Sequence, residues 1–128
     1  MKSKHLLRSA LLVGATLCAS AACGGSAERE TYALTGGSAS RGKNDIRSYG
    51  CGACHVIPGV PGASGRVGPS LADIAHQSFV GGVVANTPEN MIAWIQDPPA
   101  LSPRTAMPNL NVSNSDARDI AAYLYTLR

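Results

Sequence analysis

Three features of this 128-residue chain predict a small all-α domain, about four or five helices and loops wrapped around a bound apolar group. No segment sustains the apolar-polar alternation that a half-buried strand requires. Three stretches instead repeat apolar residues with the helical period, two of them opened by a hydroxyl cap. The third feature is a shortage of core material. With one Trp, one Phe, four Tyr and 14 Gly, a domain of this size has too little to bury by itself.

Lys2, Lys4 and Arg8 precede an apolar run from Ala10 to Ala22, the layout of a secretory signal peptide over residues 1–22. That run is too short to span a bilayer. Without those three cations, the eleven basic residues become eight, against eight acidic ones. The exported chain is therefore close to neutral, which argues against a broad basic face for nucleic acid or anionic lipid and leaves electrostatic steering to local patches. Ser20-Ala21-Ala22-Cys23 is similar to a bacterial lipobox, with Ser20 where leucine is usual; on that reading Cys23 carries lipid and touches a membrane. Cleavage near Ala19-Ser20-Ala21 is the other reading, and it leaves Cys23 an odd thiol. Residues 23–31 are small and polar without an apolar period, the pattern of a flexible tether, and the folded domain is expected over 32–128.

From about Ser38, Gly42, Ile46 and Tyr49 share one face of a helix. Glycine is costly inside a helix, so Gly42 implies another helix crossing close above it. Glycines at 59, 62, 65 and 68 recur every third residue, too few triplets for a collagen helix and suited to a tight loop. Ser70 with Asp73 is expected to cap a short helix through about Gln77. Phe79 to Ala85 fits a turn or a packed segment. Thr87-Pro88-Glu89 opens a helix that buries Met91, Ile92, Trp94 and Ile95 and stops at Pro98-Pro99. After the loop from Ala100 to Val112, Ser113 with Asp116 caps a last helix carrying Ala117, Ile120, Ala121, Leu124 and Leu127.

Chemistry concentrates at Cys51-Gly52-Ala53-Cys54-His55. Two thiols three positions apart followed by histidine form the attachment pattern for c-type haem. One turn of backbone lets both sulfurs reach the two vinyl-derived carbons of a porphyrin edge, with the imidazole under the iron. Cys51 and Cys54 are then thioether anchors and His55 an axial ligand, and the ring supplies the missing apolar centre. A thioredoxin-like pair would want a βαβ setting and zinc a second ligand pair. Neither is visible, although a pattern this short can also arise by accident. The close of the glycine loop, Gly68-Pro69-Ser70-Leu71, would put a carbonyl beside the imidazole and so orient it. Met91 reads as core; His76, the other histidine of the exported chain, offers a bis-histidine iron as an alternative but reads first as an exposed helix residue; the Asn111-Val112-Ser113 sequon has little meaning in bacterial export.

Taken in order, the glycine-bearing helix, Cys51–His55, Gly-Pro-Ser-Leu, the helix ending Trp94-Ile-Gln-Asp-Pro, Thr105-Ala-Met107-Pro and the closing helix with Ala-Tyr123-Leu resemble a class I cytochrome c from about Tyr32 onwards. The similarity is greatest to the cytochrome c domain of bacterial haem-copper oxidase subunit II and to related small standalone cytochromes, carried by the stretch from Asn86 to Ile95. The resemblance implies one covalent haem c with His55 and Met107 as axial ligands. It also implies a Pro69 carbonyl on His55, Trp94 lining the distal haem face, Thr105 near a propionate, and a crossing of Gly42 and Ile46 with the Tyr123, Leu124 region. The implied function is electron transfer in the periplasm between redox partners such as a terminal oxidase, cycling Fe(III)/Fe(II), and not independent catalysis. A haem-based gas or redox sensor, or an electron-transfer subunit of a larger oxidoreductase, is the alternative. The dense lysine ring of mitochondrial carriers is missing, as are a copper-binding domain and a membrane anchor of an oxidase subunit.

Overall fold

A computed structural model describes residues 22–128. Residues 1–21 of the expected leader, with Cys18, Ser20 and Ala21, lie outside the described residues. In order come α1 (Ala22–Thr35), α2 (Ala39–Ser48), a 3-10 turn (Cys51–Ala53), a second one (Ile74–His76), strands β1 (Phe79–Val80) and β2 (Val84–Ala85), α3 (Pro88–Gln96), α4 (Pro98–Leu101) and α5 (Asn114–Leu124).

The frame is the crossing of α2 and α5. Ser38 caps α2 by accepting from the Arg41 N–H, and Ser113 caps α5 by accepting from the Asp116 N–H at 3.1 Å. At the crossing a Cβ on Gly42 would lie 1.9 Å from the Asp119 carbonyl oxygen, so only glycine lets the two backbones meet. The backbone that Gly42 meets belongs to Asp119 and Ile120, a turn before the implied Tyr123 and Leu124. Leu124 stays in the core, while the Tyr123 hydroxyl donates to the Pro58 carbonyl at 2.7 Å, holding the glycine loop. Asp119, 5% exposed, accepts from the Ser38 N–H at 2.6 Å and from Arg41 through Nε at 2.6 Å and Nη2 at 2.9 Å. A buried carboxylate is tolerated there because a two-pronged guanidinium and a backbone donor replace its water. Apolar packing around Ile46, Met91, Trp94, Ile120 and Leu124 completes the crossing.

Residues 23–31 are not a flexible tether: they lie in α1. The apolar period is missing because its buried positions are Thr31 and Thr35, four residues apart, whose hydroxyls bond back to the carbonyls of Ala27 at 3.0 Å and Thr31 at 2.9 Å. With their polar atoms satisfied inside the helix, threonines can be buried like small apolar residues. Tertiary contacts add to this: Glu28 accepts from the Ser38 hydroxyl at 2.6 Å, Arg118 donates to the Thr35 carbonyl at 2.8 Å, and Arg128 bridges to Glu30.

Two other expectations change. Ser70 and Asp73 form no capping box; the Ser70 hydroxyl accepts from Ala72, and only a 3-10 turn follows. Phe79 to Ala85 is a small antiparallel hairpin, Phe79 opposite Ala85 and Val80 opposite Val84, turned by Gly81 and Gly82 at φ 58° and 72°. Thr87 caps α3 as expected. The two prolines do end that helix, but Pro98 also starts α4, because proline suits a first helical position.

Candidate haem-binding site

After α2, Gly50 turns the chain at φ 73° and opens the 3-10 turn. Within it the Cys54 and His55 N–H groups both donate to the Cys51 carbonyl, at 3.2 and 3.1 Å, which gathers both sulfurs and the imidazole on one turn of chain. The two cysteines are half-buried and not joined in a disulfide. Burial pushes the Cys51 thiol up, opposite to the lowered pKa of a thiol-exchange cysteine.

The glycine loop folds back over this turn. Gly65 donates to the Gly52 carbonyl at 3.0 Å, Gly68 to Cys54 at 2.9 Å and Leu71 to Val56 at 2.9 Å. A Cβ on Gly65 would lie 2.2 Å from the Ala53 carbonyl oxygen, and one on Gly68 would lie 2.4 Å from the His55 ring. The bare backbone at these two positions therefore lies against the cysteine turn and the imidazole. His55 Nδ1 sits 2.7 Å from the Pro69 carbonyl oxygen. A carbonyl can only accept, so Nδ1 carries the proton and Nε2 keeps its lone pair for a metal.

On the other arm, the loop after α4 carries Thr105 and Met107. The Thr105 hydroxyl accepts from the Met107 N–H at 3.2 Å, folding the loop so that Met107 is half-buried against the core. Trp94, 8% exposed, belongs to that core. His76 stands apart, exposed, with Nδ1 2.8 Å from Asp73. Met91 lies deep in the core at 2% exposure. Among the described residues, no group of three or more His, Cys, Asp or Glu could hold a metal ion by itself.

The sequence reading named Gly68 without its contact to the imidazole and missed the role of Asn86. Gly68 clears the space that His55 occupies, which a recurring glycine hints at without naming the neighbour. Asn86 donates from Nδ2 to the carbonyls of Ile74 and Gln77, both at 2.8 Å, and accepts from the Tyr125 hydroxyl at 2.9 Å. It fastens the segment before the hairpin to the end of α5, and a lone asparagine gives no sequence sign of that. The donor set fits a covalently held haem: two free thiols on one turn, an imidazole with a free Nε2, and a glycine-cleared ring position.

The sequence model of the cytochrome c family matches residues 39–128. Two proteins named cytochrome c oxidase subunit 2 are similar. The one from Alkalihalophilus pseudofirmus is 31% identical over 91 residues, covering 70% of this chain and 26% of its own. The one from Bacillus subtilis is 30% identical over 102 residues, covering 77% and 29%. The chain thus spans less than a third of the length of these relatives. No solved structure matches. With the attachment turn and the family match coinciding in residues 39–128, the chain belongs to the cytochrome c family, whose members transfer electrons through covalently bound haem c.

Proposed function

We propose that this chain is an exported single-haem electron carrier with histidine/methionine ligation. Bound haem supplies one-electron Fe(III)/Fe(II) chemistry. Cys51 and Cys54 would hold the ring through thioethers, His55 Nε2 and the Met107 sulfur would ligate the iron, Trp94 would lie on the methionine side, and Thr105 would orient the methionine loop near a propionate. The observation that carries the reading is the 2.7 Å contact of His55 Nδ1 with the Pro69 carbonyl, which fixes the tautomer a metal-bound histidine needs and raises its basicity. Histidine and methionine together would raise the potential and would leave no site for a substrate. Lipid on Cys23, in the first turn of α1, would hold the domain near a bilayer and raise its effective concentration beside membrane partners.

The similarity to two oxidase subunits favours one refinement, in which the electron acceptor is a terminal oxidase that this chain serves as a carrier or a subunit. Stoichiometric copurification with an oxidase would support the subunit form.

The ligand set is tested by near-infrared absorption of the oxidised protein. The weak sulfur-to-iron charge-transfer band is expected in the native chain and absent in Met107→Ala. A native protein without the band, or one whose reduced form binds carbon monoxide readily, would overturn methionine ligation in favour of an open-site sensor.

A further inference from the structure

The first helix is held to the molecule by a different kind of contact from α2, α3 and α5. Among residues 25–35 none belongs to the apolar core or packs against it, and the two large apolar side chains there, Tyr32 and Leu34, are exposed. We propose that α1 is a releasable strap: it lifts off the body about Gly36 and unwinds as it leaves, while the fold from Ala39 onward persists.

The contacts that fasten it are polar. Glu28 accepts from the Ser38 hydroxyl at 2.6 Å and from the Ser40 N–H at 3.3 Å, Arg128 bridges to Glu30, and Arg118 donates to the Thr35 carbonyl at 2.8 Å. Charged groups freed from such contacts regain water, so each contributes little net stability. The buried face separates as readily. Thr31 and Thr35 direct their hydroxyls to carbonyls of their own helix, so neither loses a partner on the body. Beside Thr31 a gap of about 70 Å³, lined also by Tyr125 and Thr126, gives water a way into the contact. The body meanwhile keeps its own bonds: Asp119 still accepts from the Ser38 N–H and from Arg41, and Arg118 still donates to Asn114 at 2.9 Å.

The hinge is equally well marked. Gly36 is exposed at φ 71°, where glycine is free to change conformation. Its neighbour Gly37 is buried, so close to α5 that a Cβ would lie 2.2 Å from the Arg118 carbonyl oxygen. Motion therefore begins at Gly36 and stops at Gly37, just before the family match starts at Ala39. Off the body, 14 residues that include Gly24 and Gly25 are too few to stay helical, so docking and winding are lost together. Unwound, they give on the order of 20 Å of slack between the body and whatever holds the residues before Ala22. Because the fastening contacts join opposite charges or a charge and a dipole, ionic strength sets how often the strap is open.

The test is amide hydrogen exchange of the full haem-loaded protein, read by NMR. Amides of residues 29–35 are expected to share one opening equilibrium and to exchange at least about tenfold faster than Ile46 of α2 and Ala121 of α5. Raising sodium chloride to about 0.5 M should speed the α1 amides at least about threefold further and leave the other two nearly unchanged. Glu28→Gln should speed them about fivefold without moving the midpoint of global unfolding, whereas Arg29→Gln, whose guanidinium bonds back to Gly25 within α1, should change them less than about twofold. Protection of α1 equal to that of α5, or an equal loss across α1, α2 and α5 in Glu28→Gln, would make α1 an integral part of the body and overturn the proposal. A gradient of protection falling toward Ala22 and indifferent to salt would reduce the motion to end fraying, and overturns it too.

Discussion

Gly68 and Asp45 show how much a single residue decides here. An alanine at 68 would put its Cβ 2.4 Å from one atom of the His55 ring and 2.7 Å from Nδ1, so the ring must turn and the bond to Pro69 lengthen. Overpacking of this kind costs about 1–3 kcal/mol. With a less basic imidazole, the ferric state loses support. Gly68→Ala should therefore lower the denaturation midpoint and raise the reduction potential, measured by potentiometric titration; an unchanged potential would mean the ring is not held through Pro69. At Asp45 the cause is burial first, then the nearby carboxylates of Asp116 and Asp119, which together raise its pKa, and its Oδ2 atom is buried without a partner. A raised carboxylate holds its proton more tightly folded than unfolded. Its contribution is complete below the ordinary value of about 3.9 and is lost as pH rises through the folded value. Asp116 runs the other way, lowered chiefly by the Tyr49 hydroxyl and then by Ser113, so its stabilisation appears above the ordinary value and is lost as pH falls. Asp45→Asn should stabilise the protein near neutral pH and progressively less below pH 4, as read from denaturant unfolding across that range.

At the scale of elements, the α2–α5 crossing holds the cysteine turn in place, because α2 ends three residues before Cys51. Its tolerance is set by Gly42. A methyl group there meets the Asp119 carbonyl oxygen at 1.9 Å, a backbone atom that cannot swing aside, so the helices must separate and the Asp119–Arg41 pair loosen. The expected cost is at least about 3 kcal/mol, the upper end of ordinary overpacking. Gly42→Ala should unfold at clearly lower denaturant in the haem-loaded form, whereas Gly62→Ala, with open space around it but φ of 79°, should lose only about 1 kcal/mol from backbone strain. Equal losses would mean that the close helix approach is not what requires glycine at 42. In α1 the same logic of polar packing operates through threonine hydroxyls turned inward on their own helix.

For the whole molecule, the loops around His55 and Met107 carry little regular structure and meet few large apolar side chains of their own. Val67, between the cysteine turn and Pro69, is 80% exposed, and Phe79 of the hairpin is 59% exposed. A domain of this size buries too small a fraction of its surface to tolerate a missing centre. Expression without haem attachment, by Cys51→Ser with Cys54→Ser, should remove the cooperative thermal transition and much of the helical circular dichroism. A haem-free chain that still melts cooperatively would show that the α2–α5 crossing is self-sufficient.

Local chemistry is what the sequence by itself determined: the cysteine-histidine turn, the caps at Thr87 and Ser113, the periodic faces of α2, α3 and α5, and a glycine at 42 that demands a close neighbour. Each depends on residues within a turn or two of one another, so spacing alone reveals it. The tertiary structure decided what depends on partners distant in sequence. It made a helix of residues read as a tether, because Ser38, Arg118 and Arg128 supply polar contacts that no apolar period announces. It moved the helix crossing to Asp119 and Ile120, closed Phe79 to Ala85 into a hairpin, and placed the His55 ring over Gly68. It also paired Asp119 with Arg41 and Glu30 with Arg128, since charge balance along a chain does not say which charges meet.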